Sequence, residues 1–300
     1  IKMLNKIYEK FDLEIIFHPL DMEMITGGYH FSYDCNCYKS GICNSKKHNL
    51  KKLSKKIYQK KINYLSKLPI KWITTSKFMM KRVMISKIFS EVHSIDTVYM
   101  GIVDEKDNQE ILNKETARHK LDLEQKNKIM LFGCFDFSDP RKGAHLLKEI
   151  LSDISLQINN KPVTLITYGS LNKFNFENIN LQWKHFGNIS HEKLKLLYRA
   201  SDFMLSPSID DIGPTTVQEA FYYDLPVIGF DIGFVSDFIV NKINGEKIDC
   251  FDKNKFSQAI LKYLDNEKYE YNYDNPIIND LKIQCKYEVE AKSFLNSIKK

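Results

Sequence analysis

Two acidic side chains eight positions apart, Asp211 and Glu219, flank a Gly213-Pro214 turn in the stretch Leu205-Ser-Pro-Ser-Ile-Asp-Asp-Ile-Gly-Pro-Thr-Thr-Val-Gln-Glu-Ala220. The pattern predicts a strand, a carboxylate-bearing loop, and a helix beginning near Thr216. The first amides of such a helix lack backbone partners and carry the positive end of its dipole, so they form a phosphate site. Simpler readings coexist with this one. Thr216-x-x-Glu219 fits a capping box, in which the carboxylate bonds the helix's own amide, and Asp211 fits a turn former. A second group, Arg141-Lys142-Gly143, places two cations ahead of another expected helix. They suit a diphosphate, and an isolated Arg-Lys pair equally suits plain surface charge. His185 and His191 read best as surface or capping residues. Asp210 and Asp211 are adjacent and make no Asp-x-Asp metal motif.

The elements that must position these residues alternate. Strands are expected at 128–132, 162–168, 181–186, 203–207 and 226–230, with helices at 142–154, 191–200 and 216–223. That alternation indicates right-handed β-α-β crossovers and a parallel sheet with both faces covered. Ligands of such sheets bind beyond the carboxyl ends of the strands, where both groups fall. The first part of the chain reads as an amphipathic helix at 1–11, a strand at 13–17, a loop at 21–45, and a basic helix at 46–67. A strand at 71–76 follows, with Ser76 capping a helix at 77–89, and then a strand at 97–103. The charged stretch 104–124 makes the best linker.

Composition narrows the class. The chain has 300 residues, 43% hydrophobic and 27% charged, as expected of a globular protein with two domains. No apolar run approaches the roughly 20 residues that span a bilayer. The net charge of +6 is concentrated in the lysine-rich segment 46–61. Without regularly interleaved aromatic residues this segment reads as a solvated helix face, and no nucleic acid partner is expected. Peripheral contact with anionic lipid stays open. Three of the six cysteines, Cys35, Cys37 and Cys43, fall within nine residues. Their spacings do not match a paired zinc knuckle, and the cysteines as a whole indicate a reducing compartment. The chain opens on Ile1 with no signal segment, and an upstream portion is expected to exist.

The segment 205–228 resembles the signature of family 4 glycosyltransferases, including the spacing of its two acids. Asp211-Ile-Gly-Pro-Thr-Thr-Val-Gln-Glu219 is similar to a branch of colanic-acid and exopolysaccharide transferases that reads Asp-Asn-x-Pro-Asn-Thr-Val-x-Glu. The family's Gly before Pro-Val is Asp224 here, and an arginine often found after the first strand's glycine is Cys134. Asp21-Met-x-x-x-Thr-Gly-Gly28 and the run to Gly41 resemble the same branch. That branch carries four cysteines, of which only Cys35 is in register, so no structural cysteine cluster is expected. The family's histidine before Asp-Met is replaced by Leu20, and no catalytic role is carried to His18.

The resemblance implies an α/β, GT-B architecture of two Rossmann-like domains facing a cleft. Their expected bounds are 1–125, lacking its first strands, and 126–285, with 286–300 as a helix packing back. It implies retaining transfer from a nucleotide-diphosphate sugar to a glycan or lipid-linked acceptor, in the cytoplasm or at the inner face of a membrane. In this reading Glu219 contacts the donor ribose and Asp211 a hydroxyl of the donor sugar. The backbone of Ile212, Gly213, Pro214, Thr215, Thr216 and Val217 lines the sugar and diphosphate. Gly133 belongs to the donor site, Lys142 and Arg141 meet the diphosphate, and Gly187, Asn188 and Ile189 meet the base. Asp21, Gly27 and Gly28 belong to the acceptor side. No cofactor or metal is expected. The alternatives are a nucleotide-sugar epimerase of the same fold and a non-catalytic binding remnant.

Overall fold

In a computed structural model, the described residues are 2–11, 13–33, 35–43, 50–102, 113–158, 161–177, 179–265 and 274–299. The chain separates into two compact units, one of Ile1–Gly101, Asp210–Ile212 and Gln284–Lys300, the other of Ile102–Ile209 and Gly213–Ile283. Residues 104–112 of the expected linker lie outside the described residues, as do 44–49 at the start of the basic helix and the chain ends Ile1 and Lys300.

The first unit contains α1 (Lys2–Phe11), β1 (Ile15–Phe17), α2 (Cys37–Ser40), α3 (Lys51–Leu65), β2 (Ile70–Thr74), α4 (Lys77–Met84) and β3 (Ser94–Thr97). Its strands form a parallel sheet in the order β1-β2-β3. The middle strand is buried along its length, and Trp72 pairs with Phe17 on one side and Ile95 on the other. Apolar side chains from the helices, Tyr58, Leu65, Met79 and Val83, complete this core. Ser76 caps α4 by accepting from the Met79 amide at 3.0 Å, so β2 ends at Thr74. That explains a difference from the expected strand at 97–103. Pairing with β2 runs from Ser94 to Thr97 and stops where β2 stops. The lysine-rich helix is also not solvated throughout. Lys61 is 2% exposed and its ammonium bonds the Glu23 carboxylate at 2.6 Å.

The second unit contains α5 (Lys114–Lys120), β4 (Lys128–Asp136), α6 (Ala144–Ile158), β5 (Val163–Ser170), β6 (Gln182–His185), α7 (His191–Ala200), β7 (Phe203–Ser206), α8 (Thr215–Tyr222), β8 (Val227–Phe230), α9 (Gly233–Phe238), β9 (Gly245–Ile248), α10 (Lys253–Asp265) and α11 (Pro276–Gln284). The helix Tyr287–Lys299 (α12) follows and groups with the first unit. Six parallel strands run in the order β6-β5-β4-β7-β8-β9. Continuous apolar runs such as Ile129-Met130-Leu131-Phe132 suit strands covered on both faces, and all four side chains are buried. Buried Leu147, Ile150, Leu151 and Ile154 give α6 the i, i+3, i+4 stripe that packs on the sheet. Among the described residues no helix is long and apolar enough to cross a membrane.

A buried cation organises the base of this sheet. Arg118, 4% exposed, donates to the carbonyls of Ala200 at 2.9 Å and Gln125 at 2.6 Å and to the Asp202 carboxylate at 2.7 Å. The same carboxylate accepts from the Ile129 amide at 2.7 Å, tying α5 to the start of β4. Arg118→Met is therefore expected to cost about 2 to 4 kcal/mol, because it leaves two buried carbonyls without their donor and the Asp202 carboxylate with the half-exposed Lys114 as its remaining cation. Urea unfolding followed by circular dichroism measures this; a loss under about 1 kcal/mol contradicts the role.

Candidate active site

The strand order of the second unit, with β5 and β6 wound to one side of β4 and β7, β8 and β9 to the other, creates a topological switch point between β4 and β7. Ligands of doubly wound sheets bind outside the carboxyl ends of the two strands that flank such a point. The loops leaving those two ends carry Arg141-Lys142-Gly143 and the stretch from Pro207 to Glu219.

These two loops are locked together. The Ile209 amide donates to the Arg141 carbonyl at 2.8 Å. Gly143 has φ of 72°, and a Cβ there would lie 1.9 Å from the Pro207 carbonyl oxygen. Only glycine satisfies both the left-handed backbone and this approach. Asp139 caps the turn Pro140–Lys142 through the Arg141 amide at 3.0 Å and holds the Arg141 guanidinium at 2.5 Å. Arg141 thus already has a carboxylate partner. Lys142 is half-buried on the same turn, close enough to Cys134 to oppose the burial that pushes that thiol up to about 12.

The start of α8 decides between the two readings of Glu219. The helix begins at Thr215 with Pro214 as its N-cap and no side-chain capping bond, so Thr216 is inside the helix and the capping box does not form. Glu219 instead accepts from the Tyr198 hydroxyl at 2.6 Å, and that hydroxyl lies 3.3 Å from the Tyr168 hydroxyl. Tyr168 in turn fills the space over Gly133, where a Cβ would lie 2.1 Å from its ring. Burial raises the Glu219 carboxyl above its ordinary 4.5, against the lowering effects of the Tyr198 bond and of His191. The Val217 amide donates to the Pro214 carbonyl at 2.9 Å, and Pro214 has no N–H. The helix therefore offers a ligand mainly the amides of its first turn, Thr215 and Thr216. A Cβ on Gly213 would lie 2.7 Å from the Phe234 ring. Gly187 has φ of 64° with nothing within 4 Å of its Cβ position. Asn188 beside it is exposed and Ile189 half-buried.

The remaining predicted residues lie in the first unit. Asp211 is half-buried, and the Ile212 carbonyl accepts from the Ser76 hydroxyl at 2.6 Å. Its neighbour Asp210 is 1% exposed, paired with Arg82 at 3.2 Å and accepting from the Tyr33 amide at 2.6 Å. Asp21 bonds the Glu23 amide and the His30 ring, each at 2.7 Å. Gly27 is required by packing, since a Cβ would lie 2.1 Å from the Ser54 hydroxyl, and Gly28 turns the chain with φ of 99°. His18 donates from Nδ1 to the Ile73 carbonyl at 2.7 Å and meets the Phe294 ring edge-on. Of the other histidines, His191 is exposed. His185 is half-buried, bonded to Thr167 at 2.9 Å, which departs from the expected surface role.

Two parallel-sheet α/β units of this kind match the GT-B glycosyltransferase fold. The sucrose-phosphate synthase of Thermosynechococcus elongatus aligns over 98% of this chain and 69% of its own, with a TM-score of 0.68 at 15% identity. A glycosyltransferase from Rickettsia africae aligns over 98% of this chain and 78% of its own, with a TM-score of 0.62 at 17% identity. The HepE protein of Anabaena, crystallised with UDP and glucose, aligns over 99% of this chain and 75% of its own, with a TM-score of 0.68 at 13% identity. A search of the curated proteins found no significant match. The model of the family "Glycosyl transferases group 1" matches residues 113–278, more than half of the chain, which therefore belongs to that family.

Sequence reading missed Tyr168 and Tyr198, although Tyr198 stands in the Leu-Leu-Tyr run of α7. Their signal is positional, since a tyrosine at the carboxyl end of β5 and another on the buried face of α7 both point toward the helix that carries Glu219. The raised carboxyl gives a signed prediction. A carboxyl held above its unfolded value contributes stability that is full below about pH 4.5 and is lost as pH rises through the folded value. Glu219→Gln keeps an acceptor for Tyr198 and removes the charge. At pH 7 the variant is expected to be at least as stable as the parent, with the difference vanishing below about pH 4.5. Thermal unfolding across pH 4 to 8 measures this, and a variant less stable than the parent at pH 7 would contradict it.

Proposed function

We propose that this glycosyltransferase moves a sugar from a nucleotide-diphosphate sugar to a glycan or lipid-linked acceptor with retention of configuration, in the synthesis of surface polysaccharide or glycoconjugate. The observation that carries the proposal is the joining of the Lys142 turn to the loop leading into α8 at the switch point of a doubly wound sheet. A diphosphate at that point meets the Lys142 ammonium and the Thr215 and Thr216 amides together. As the glycosidic bond breaks, charge grows on the leaving diphosphate, and donors fixed in advance stabilise it without reorganisation. Arg141 adds to that field while sharing its guanidinium with Asp139. Such a set needs neither metal nor cofactor for charge neutralisation.

Glu219 then binds the donor ribose through the carboxylate oxygens that its Tyr198 bond orients, and Asp211 binds a sugar hydroxyl. The open face over Gly187, with Asn188 and Ile189, receives the base. UDP is the first nucleotide to try, because a UDP complex exists for the structurally similar HepE protein. Asp21, Gly27 and Gly28 form part of the acceptor side. The catalytic step is placed in the cytoplasm, with the acceptor presented at the inner face of a membrane in the lipid-linked case.

Lys142→Ala is expected to lower kcat/KM by on the order of 2 to 4 kcal/mol in transition-state stabilisation, whereas an exposed lysine contributes under about 0.5 kcal/mol. The check is calorimetry with UDP, GDP and ADP to identify the nucleotide, followed by release of that nucleotide coupled to a glycosylated product. A kcat/KM within threefold of wild type places the phosphate site elsewhere. Conversion of the donor sugar without any transferred product would identify an epimerase.

A further inference from the structure

The cysteines of the first unit meet, contrary to the expectation drawn from their lost register with the resembling branch. Cys35, Cys37 and Cys43 are all buried, none is disulfide-bonded, and their sulfurs all lie within 4.8 Å of one another. The Sγ atoms of Cys35 and Cys43 are 3.6 Å apart. Thiolates around a tetrahedral zinc ion, each about 2.3 Å from the metal, stand ~3.8 Å from one another. The three sulfurs are thus already near the spacing that one ion imposes.

The local backbone is built to bring them together. Cys37 opens the single-turn helix α2, which is closed by the Gly41 amide donating to the Cys37 carbonyl at 2.7 Å. Gly41 adopts φ of 71°, which turns the chain so that Cys43 returns to Cys35. A Cβ on Gly41 would lie 2.2 Å from the Tyr58 ring, and the Tyr58 hydroxyl donates to the Tyr38 carbonyl at 2.7 Å. The turn is therefore pinned to α3. Among the described residues the sulfurs form their own apolar cluster, joined by the partly buried Tyr29 and separate from the core of the unit.

We propose that Cys35, Cys37 and Cys43 bind one Zn²⁺ through three thiolates, with an oxygen ligand in the fourth position, and that the ion holds the loop between β1 and α3. Soft thiolate donors select zinc over the hard cations that carboxylates bind. The ion is remote in sequence from the Lys142 and Glu219 loops, and its role is structural.

The test is titration of the full chain with Co²⁺, watching for thiolate-to-cobalt absorption in the near ultraviolet. One equivalent is expected to bind, and one equivalent of Zn²⁺ to abolish the band. Removing one ligand in Cys43→Ala is expected to weaken metal affinity tenfold or more, while Cys250→Ala leaves it unchanged. Three thiols of the wild-type chain should also become resistant to alkylation when Zn²⁺ is added. Absence of the band in folded wild-type protein, or a band of equal affinity in Cys43→Ala, overturns the proposal. Both readouts on the wild-type chain stand whether or not the variant folds.

Discussion

The carbonyl of Pro207 occupies the place where a side chain on residue 143 would begin. That single approach, made from the carboxyl end of β7 to the turn after β4, sets the geometry of the two loops at the switch point. With Gly143 in the left-handed region and the Ile209 amide on the Arg141 carbonyl, the two loops have one relative position. Lys142 is carried on the first loop, and the second continues into the first turn of α8. A Cβ at 143 would push the loops apart and separate the cation from the helix amides. The strand order makes the approach available, because β4 and β7 are neighbours from which the connections diverge.

Two carboxylates nine residues apart in this stretch are held in opposite ways. Asp210 is almost fully buried, but it is neutralised by Arg82 and bonded by the Tyr33 amide. Such a group is structural, since breaking either contact leaves a charge in a medium that solvates it poorly. Glu219 is half-buried, and its carboxylate accepts from a tyrosine hydroxyl in place of a cation. Burial therefore dominates and raises its carboxyl. A carboxylate kept in that condition gains from a ligand that supplies hydrogen-bond donors, as the hydroxyls of a ribose do. The environment, more than the motif, separates the acid neutralised by a cation from the one held by a hydroxyl.

Much of the second unit was legible because its strands are unbroken apolar runs and its helices show a clear stripe. The expected strands at 128–132, 162–168, 181–186, 203–207 and 226–230 all correspond to strands in the sheet, with ends shifted by the pairing register. The β9, α9, α10 and α11 elements had no expectation attached. In the first unit the reading was less complete. The end of β3 depends on where its neighbour β2 stops, and Lys61 is buried only because Glu23, far away in sequence, lies opposite it. Likewise the meeting of three cysteines follows from the turn at Gly41 and the Tyr58 ring against it, neither of which shows in cysteine spacing. The capping box at Thr216 was a sound local pattern. It failed because Pro214 starts the helix one residue earlier and Tyr198 captures the carboxylate.

Several residues expected from the sequence to meet a ligand have a packing duty in the fold. Gly133 makes room for Tyr168, Gly213 for Phe234, and Gly27 for the Ser54 backbone and hydroxyl. A missing side chain at Gly133 lets the Tyr168 ring reach Tyr198, and through it the acid on α8 is oriented. Asp224 shows the converse. It replaces the glycine of the resembling family, yet it keeps the left-handed turn at φ of 59°, a conformation that aspartate adopts more readily than most side chains. Its carboxylate then pairs with Lys282, fastening the end of α8 to α11. A glycine can be replaced where the constraint is only the sign of φ. Where another chain segment already occupies the Cβ position, as at Gly143, the constraint is volume, and no side chain meets it.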